Sequence, residues 1–440
     1  MKITFMGAGS TVFVRNIVKD CMSTDLLNTA EFALYDIDGE RLKDSQTILE
    51  GYNESFNQNR AKITAYLGVE NRKEALRNAN FVINTIQVGF FEPCTVIDFE
   101  VPKKYGLRQT IGDTLGIGGI MRTLRTIPVM RDFAEDIMQV APNALFINYV
   151  NPMATLTGFM LRYTPVKTVG LCHSVQTCSH DLLESLDMQD KLEGRKELIA
   201  GINHMAWLLK IEDKNGVDLY PEIRKRAAQK NANEKHKDMV RFEYIKDFGY
   251  YCTESSEHNS EYNNFYIRKD TPEYIEKFNI PLDEYPRRCV EQIKNWNKEK
   301  QEILNNREKQ TLVRSREYAS AIMESVLTNN PSQIGGNVLN TGLIENLPKN
   351  ACVEVPCLVN GLGVHPCYVG NLPEQLAAMN RTNINVQLLT IQAAVTKKRE
   401  DIYMAAMLDP HTSTELNKDK IKQMVDELIE AHGEYMKEYR

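Results

Sequence analysis

The sequence predicts an α/β protein, with a doubly wound parallel sheet in its N-terminal part and a mixed α+β region in its C-terminal part. Over residues 1–175 short apolar segments alternate with helical segments, which is typical of parallel strands joined by helical crossovers. The first apolar segment ends in glycines. From about residue 180 charged helical segments dominate and the strands are short. We therefore predict two domains, 1–175 and 176–440.

The predicted elements of the N-terminal part follow one another in a regular order. Strand one is KITFMGAGST, with the helix TVFVRNIVKDCMST after it, and strand two is EFALYDID, with the helix GERLKDSQTILEGYNESF after it. AKITAYLG is strand three, and NRKEALRNANFVINTIQVG contains a helix and then strand four. APNALFINYVNP is strand five and KTVGLCHSV is strand six. Six such strands are enough for one parallel sheet covered by helices on both faces.

The C-terminal part is predicted to be richer in helix. Helical segments are EYIEKFNIPLDEYPRRCVEQIKNWNKEKQEIL, SREYASAIMESVLTN and the amphipathic DKIKQMVDELIEAHGEYM. Short strands are predicted at AWLLKIEDKNG and GNVLNTG. Residues 225–240, KRAAQKNANEKHKDMV, are predicted to be a charged surface loop.

Composition excludes several classes of protein. The 440 residues are 42% hydrophobic and 25% charged with a net charge of −6, so no basic field indicates nucleic-acid binding. The sequence contains no run of about 18 apolar residues, so no membrane span is predicted. The apolar start of the chain reads as a strand because glycine interrupts it early. Nine scattered cysteines favour reduced thiols and a cytoplasmic location over a disulfide scaffold.

The FMGAGST segment predicts a dinucleotide site. Gly7 and Gly9 follow a strand and precede a helix, where glycine permits a tight turn and the helix N-terminus favours a pyrophosphate. The third glycine of the usual fingerprint is absent, so a plain strand–helix turn is the alternative. Ser10 and Thr11 complete the predicted loop.

Asp36 strengthens the dinucleotide prediction. It ends strand two, 27 positions after Gly9, slightly beyond the usual spacing of about 20. A carboxylate there accepts hydrogen bonds from ribose hydroxyls and repels a 2′-phosphate. The expected cofactor is therefore NAD rather than NADP.

A second group of polar residues follows strands five and six. Asn151 lies at the end of strand five, Cys172 and His173 lie at the end of strand six, and His204 lies in GINHMAW at the start or end of another strand. Strand ends on this side of a parallel sheet share one crevice with the cofactor. A thiolate and an imidazole can hold a transition metal and leave positions open. The alternative is that both side chains are ordinary core residues.

Several longer motifs are similar to those of glycoside hydrolase family 4. They are GAGST, LYDID, EPCTVIDFEVPKKYGL, TIGDTLGIGGIMRTLRTIP, NYVNPM, GLCHSV, GINHMAW, TESSEHNSEY, LDEYPRRCVEQ and TNINVQ. The resemblance covers nearly the whole chain, and CHSV resembles the α-galactosidase (melibiase) branch. It implies a lactate/malate dehydrogenase-like Rossmann fold, NAD, a divalent metal that is usually Mn²⁺, and a homodimer or homotetramer.

The resemblance also implies a route through redox steps. Hydride leaves C3 of the sugar for NAD⁺, a base removes the acidified C2 proton, and the aglycone leaves from C1. Water then adds to the unsaturated ketone and the hydride returns, so there is no net oxidation. This differs from the usual two-carboxylate glycosidase mechanism.

Site residues are carried over on matching motifs. The resemblance implies that Cys172 and His204 are metal ligands and that Asn151 binds substrate. It implies that Asp113 makes the base more basic and that Tyr262 is that base. His258 and Glu261 remain rival bases.

The residue after the metal cysteine departs from the pattern of the phosphate-specific members, which often carry aspartate there as the proposed acid. Here it is His173, which is either the general acid or a contact for a sugar hydroxyl. Arg287 and Arg288 fall where sugar-phosphate members carry an anion-binding arginine, and Arg288 is the predicted substrate contact. The expected activity is α-galactoside hydrolysis. The alternatives are α-galacturonidase, α-glucosidase or 6-phospho-glycosidase activity, and more distantly a 2-hydroxy-acid dehydrogenase or a non-catalytic NAD sensor.

Overall fold

One mixed sheet organises the molecule in the computed structural model, which describes residues 1–305, 314–315 and 317–440. Eleven strands of these residues join it, in the order β3-β2-β1-β4-β5-β6-β9-β10-β7-β8, with β11 paired to β10. The strands are β1 (Lys2–Met6), β2 (Glu31–Asp36), β3 (Lys62–Leu67), β4 (Phe81–Asn84), β5 (Leu145–Asn148), β6 (Thr168–Gly170), β7 (Lys196–Ile202), β8 (Met205–Glu212), β9 (Ser332–Leu339), β10 (Cys352–Asn360) and β11 (Gly363–Pro366). The predicted α/β class is confirmed, and the first six strands follow one another along the chain as predicted.

Helices cover the sheet. In the first part they are α1 (Thr11–Met22), α2 (Gly39–Asn57), α3 (Arg72–Leu76), α4 (Val96–Lys104), α5 (Gly116–Val140), α6 (Met153–Tyr163) and α7 (His173–Ser185). The later helices are α8 (Tyr220–Asn233), α9 (Met239–Phe248), α10 (Ser256–Glu261), α11 (Glu273–Lys277), α12 (Glu284–Asn305), α13 (Ala319–Thr328), α14 (Glu374–Thr396), α15 (Arg399–Leu408), α16 (Pro410–Glu415) and α17 (Lys418–His432). None of the described helices has the length and apolar character that a membrane crossing requires.

Strand direction changes midway through the sheet. The strands β3 to β6 are parallel, and β9, β10, β7 and β8 pair antiparallel. One row of paired residues crosses the sheet from β2 to β8: Tyr35, Met6, Asn84, Asn148, Gly170, Asn337, Glu354, Gly201 and Ala206. This row joins the carboxyl ends of the parallel strands to the turn between β7 and β8. It therefore brings the predicted cofactor loop and the predicted metal ligands to one edge.

The sixth strand is shorter than predicted. KTVGLCHSV was expected to be strand throughout, but β6 ends at Gly170 and α7 begins at His173. Cys172 has an extended backbone, with φ −133° and ψ 138°, and caps that helix. The thiol therefore stands at a strand–helix junction, and His173 lies in the first helical turn.

The predicted loop at 225–240 is wrong, because α8 extends to Asn233 and α9 begins at Met239. Tyr220, Ile223 and Ala227 are buried, and this three-to-four-residue spacing is the apolar stripe of a helix. The charged residues that suggested a loop occupy its outer face. The predicted helix SREYASAIMESVLTN is confirmed over its α13 residues, while its Arg316 lies outside the described part.

The long helix α5 was not predicted from the sequence. Almost every side chain from Gly116 to Ile127 is buried, so this half has no polar face and no helical periodicity to detect. This buried half of the helix carries Arg122 and Arg125.

Candidate active site

The glycine loop has a backbone that only glycine fits. Gly7 has φ +87°, and a Cβ there would lie 2.7 Å from the backbone nitrogen of Ile86. The Gly9 amide donates to Asp36 Oδ2 at 2.6 Å. A Cβ on Gly9 would meet the same oxygen at 2.8 Å. Close approach within the protein therefore requires glycine at both positions, as expected for the tight turn of a dinucleotide-binding loop.

Two neighbouring cavities open at this loop. One of about 400 Å³ is lined by Gly7, Asp36 and Ile37. The other, of about 550 Å³, is lined by Tyr149 and Asn151. Gly9 and Ser10 line both. Two chambers that meet at a glycine loop fit the two halves of a dinucleotide, with the pyrophosphate at the helix N-terminus. The side chain of Thr11 lies outside the described part of the structure.

Asp36 is poised between backbone and cavity. It is 8% exposed, and its other oxygen accepts from the Asp38 amide at 2.9 Å. These two amide donors fix the carboxylate at the carboxyl end of β2. Its charge faces the chamber in which the sequence predicts the ribose.

Three potential metal ligands converge across the sheet from the glycine loop. His204 lies in the turn between β7 and β8, and Glu254 lies in the segment before α10. Glu254 Oε2 is 4.0 Å from Cys172 Sγ and 3.8 Å from His204 Nε2. The three donor atoms all lie within 4.8 Å of one another. Metal–ligand bonds of about 2.0–2.3 Å place neighbouring donors roughly 3–4 Å apart, so the arrangement fits one cation.

Electrostatics around this cluster favour a cation. Burial raises the pKa of the Cys172 thiol, and the charges of Glu254 and Glu354 raise it further. A bound metal ion has the opposite effect and displaces the thiol proton. Glu254 has φ +65°, which is unusual for a residue with a side chain and typical of functional positions.

Tyr262 lies directly behind His204. Its hydroxyl is 3.2 Å from His204 Nδ1. One ring nitrogen of His204 therefore points to the phenol, and the other, Nε2, points to Glu254 in the metal cluster. Burial raises the pKa of Tyr262 well above its usual range, and the nearby Asp113 adds to this. The phenolate is therefore a strong base wherever a neighbouring positive charge allows it to form.

Asp113 and His258 connect the cluster to the larger chamber. His258 Nε2 is 3.7 Å from Asp113 Oδ1, and its Nδ1 is 3.6 Å from Glu254 Oε1. The Asn151 amide donates to Asp113 Oδ2 at 3.3 Å. Burial opposes ionisation of Asp113, but the nearby His258 imidazole and the charge of Arg122 hold its pKa well below the usual range. Asp113 is therefore a fixed negative charge.

His173 is held by an acidic partner. Its Nε2 lies 2.6 Å from Glu317 Oε2, and its ring stacks on Tyr149 at 6.0 Å. Burial lowers the pKa of His173, but the hydrogen bond and charge of Glu317 outweigh it and raise the pKa above the usual value. Tyr149 lines the larger chamber, so His173 stands at its border.

Two of the sequence candidates have structural partners instead. Glu261 accepts from the backbone amides of residues 110, 111 and 112 at 2.7, 3.3 and 2.8 Å, so it fixes the loop that carries Asp113. Arg288 pairs with Glu257 and Glu284, each at 2.7 Å. Neither Glu261 nor Arg288 is among the residues that line the two chambers.

The sequence reasoning missed two residues. Glu254 begins the ESSEH part of a motif that was used only for Tyr262, His258 and Glu261. Arg122, on α5, lines the larger chamber, where its Nε donates to the Asn151 carbonyl at 3.1 Å. Both have charged side chains in segments of otherwise ordinary composition. Only the fold reveals that these charges face inward.

Two family models and two characterised relatives match almost the whole chain. The family model described as family 4 glycosyl hydrolase matches residues 2–188, and the model of its C-terminal domain matches residues 199–412. An alpha-galactosidase of Bacillus subtilis is 58% identical over 439 residues and covers 100% of both chains. An alpha-galactosidase of Rhizobium meliloti is 33% identical and covers 100% of this chain and 89% of the relative.

Solved structures share the fold. A putative glucosidase from Bacillus subtilis has a TM-score of 0.86 at 24% identity and covers 97% of this chain and 99% of its own. A 6-phospho-beta-glucosidase from Thermotoga maritima, solved with manganese, NAD⁺ and glucose-6-phosphate, has a TM-score of 0.79 at 21% identity. That match covers 99% of each chain.

Proposed function

This chain belongs to glycosyl hydrolase family 4, and we propose that it hydrolyses α-galactosides with NAD and a divalent metal such as Mn²⁺. One observation carries the proposal. A sulfur–nitrogen–oxygen donor set and a two-chambered dinucleotide cavity are linked by a single pair of residues, Asp113 and His258. A sugar in the larger chamber can reach both.

The geometry supports a set of residues that would hold the two cofactors. Gly7, Gly9, Ser10 and Thr11 form the loop for the NAD pyrophosphate, and Asp36 accepts from the ribose. The metal is held by Cys172, His204 and Glu254. When bound, NAD accepts and returns a hydride at C3 of the sugar, and the metal polarises the sugar oxygens as a Lewis acid.

Tyr262 is the base that takes the C2 proton, on its phenolic oxygen. Its buried position makes the phenolate strongly basic, and the hydrogen bond with His204 Nδ1 fixes its direction. Asp113 holds negative charge near it and orients Asn151. Asn151 binds a sugar hydroxyl at the mouth of the larger chamber.

His173 is the acid that protonates the departing glycosidic oxygen. Its pairing with Glu317 raises the pKa of His173 and so favours the protonated ring, and the ring stacks on Tyr149 at the chamber wall. Arg288, the predicted contact for the C6 side of the sugar, is held by Glu257 and Glu284 and lines neither chamber. Because these carboxylates offset its charge, we infer that a neutral hydroxymethyl group is favoured over a phosphate at C6.

The organisation and setting of the chain are part of the same proposal. Residues 1–175 form the NAD-binding domain, and residues 176–440 form the substrate, metal and oligomerisation domain of a homodimer or homotetramer. A cytoplasmic location is supported by the nine cysteines, all of which lie in described residues and are free thiols.

The test is hydrolysis of nitrophenyl α-galactoside by dialysed protein. We expect activity only when NAD⁺ and Mn²⁺ are both restored, and deuterium at C2 of the product sugar in heavy water. Activity that survives removal of both cofactors would overturn the proposal. Tyr262→Phe should abolish the exchange at C2 and leave NAD⁺ binding unchanged. A panel of α-galacturonide, α-glucoside and 6-phosphoglycoside substrates separates the related activities.

A further inference from the structure

One wall of the smaller chamber comes from the other end of the chain. The 3₁₀ segment Gly433–Tyr439 follows α17 and contributes Glu434, Tyr435, Lys437 and Glu438 to the lining of the cavity that holds Asp36. The residues of this wall lie far along the chain from the FMGAGST motif that predicted the site. The cofactor cavity is thus closed by residues with no sequence connection to the glycine loop.

This wall segment, Gly433–Tyr439, is anchored on both sides of Tyr435. Tyr439 is buried and its hydroxyl donates to the Leu124 carbonyl of α5 at 3.0 Å. Glu438 accepts from Arg131, also on α5, at 2.9 Å. Before the segment, His432 contacts Asp98 Oδ1 at 2.9 Å. Because these contacts exist already, a ligand that packs on the segment does not have to order it.

Tyr435 is the aromatic side chain of this segment that remains available. It is 38% exposed, whereas Met436 and Tyr439, which follow it in the segment, are buried. It shares the chamber with Ile37 and Val69, which are 62% and 60% exposed. Partly exposed apolar side chains around one cavity indicate a surface that a flat apolar ligand would cover.

The position of Asp36 decides which part of NAD lies here. In a Rossmann-like site, the acidic residue at the end of the second strand marks the adenosine ribose, and the pyrophosphate lies at the glycine loop. The base therefore extends beyond Asp36, away from Gly9 and into the chamber that Tyr435 lines. Aromatic rings pair with such bases in offset or edge-to-face stacks.

We propose that Tyr435 packs against the adenine ring of NAD and that the wall segment is part of the cofactor site. The inference rests on the proposed use of NAD. It adds a contact that the glycine-loop motif does not contain, and it links cofactor affinity to the end of the described chain.

The test compares Tyr435→Ala, Tyr435→Phe and the control Tyr368→Ala, in metal-free protein by calorimetry. Tyr368 is 65% exposed on the segment after β11 and lines neither chamber. We expect Tyr435→Ala to raise the Kd for NAD⁺ and for ADP-ribose by about three- to tenfold, as for the loss of one aromatic contact. Tyr435→Phe and Tyr368→Ala should bind like the wild type.

Two further readouts separate the possible failures. Nicotinamide mononucleotide lacks adenine, so its Kd should not change in Tyr435→Ala; an equal loss for this ligand would overturn the adenine contact. Unchanged NAD⁺ affinity in Tyr435→Ala would also overturn it. Wild-type protein that binds neither NAD⁺ nor ADP-ribose would instead overturn the proposed function. A melting temperature close to that of the wild type shows that the variant is folded.

Discussion

The dinucleotide loop and the metal cluster are built in opposite ways. Gly9 and Asp36 are 27 residues apart and share one hydrogen bond across two adjacent parallel strands. Cys172 and Glu254 are 82 residues apart, and His204 comes from a third segment between them. The first site follows from backbone conformation, which residue type controls locally. The second depends on the packing of the whole antiparallel half of the sheet.

Cys172→Ala should have the largest effect, because it removes one of the three proposed ligands of the metal cluster. Loss of a residue that only hydrogen-bonds to a metal ligand typically lowers metal affinity by about 10–100-fold. Loss of a ligand itself should cost more, so we expect Mn²⁺ affinity and glycosidase activity to fall by more than about a hundredfold. NAD⁺ binding should be unchanged. Electron paramagnetic resonance of free Mn²⁺ measures the affinity. Cys367→Ala, at an exposed free thiol, is the control, and Mn²⁺ affinity equal to that of the wild type in Cys172→Ala would contradict the ligand assignment.

Glu254→Gln tests whether the metal cluster has three protein ligands or two. An amide keeps the shape but loses the charge, so we expect Mn²⁺ affinity to fall by about 10–100-fold. In Co²⁺-loaded protein the sulfur-to-metal absorption band should persist, because Cys172 still binds. Glu345→Gln, whose surface carboxylate accepts from Tyr368 at 2.6 Å, is the matched control. Equal metal affinity in both variants would leave Cys172 and His204 as the sole protein ligands.

Gly7→Ala tests the local site by comparison with Gly216→Ala. Both glycines have φ above +80°, but a Cβ on Gly7 meets the Ile86 backbone whereas one on Gly216 meets nothing within 4 Å. Both substitutions should lower the free energy of unfolding by about 1 kcal/mol through backbone strain, and Gly7→Ala should lower it further because its Cβ also meets the Ile86 backbone. Only Gly7→Ala should weaken NAD⁺ binding, by roughly tenfold or about 1.4 kcal/mol. Denaturant titration and calorimetry measure the two effects, and equal NAD⁺ affinity in both variants would show that close approach at Gly7 is unimportant.

The smallest expected effect is on the pH dependence of the free energy of unfolding. His411 packs below the segment after Tyr262, and burial lowers its pKa to about 4. The unfolded chain, with a histidine pKa near 6.5, therefore binds the proton first, and stability is lost as pH falls from about 6.5 towards 4. Between pH 7 and 5.5 the titration of His411 should lower the free energy of unfolding by about 1 kcal/mol.

His411→Gln should remove that part of the slope. Denaturant midpoints of both proteins at pH 7 and 5.5 measure it, and the difference between the two slopes is the contribution of His411. Parallel slopes in the two proteins would show that this histidine titrates alike when folded and unfolded. Activity at pH 7 should not change, because His411 lies outside both chambers.

Much of the fold could be predicted from the sequence, and the failures have physical reasons. Alternating strands and helices marked the parallel half correctly, because local periodicity reports which face of an element is buried. The buried half of α5 has no such periodicity, so it was not detected. At 225–240 the density of charge concealed the apolar stripe of Tyr220, Ile223 and Ala227. In KTVGLCHSV the apolar run suggested a long strand, although helix α7 begins within it.

By itself, the sequence determined the glycine loop, the acidic end of β2 and the α/β class, because these depend on backbone conformation and short-range pattern. Its family motifs also indicated Cys172, His204 and Tyr262. Only the tertiary structure decided that Glu254 joins the metal cluster, that Glu261 and Arg288 are occupied by other partners, and that Tyr435 closes the cofactor chamber. These depend on which distant segments meet across the sheet. That is set by the packing of the whole chain, and no short stretch of residues encodes it.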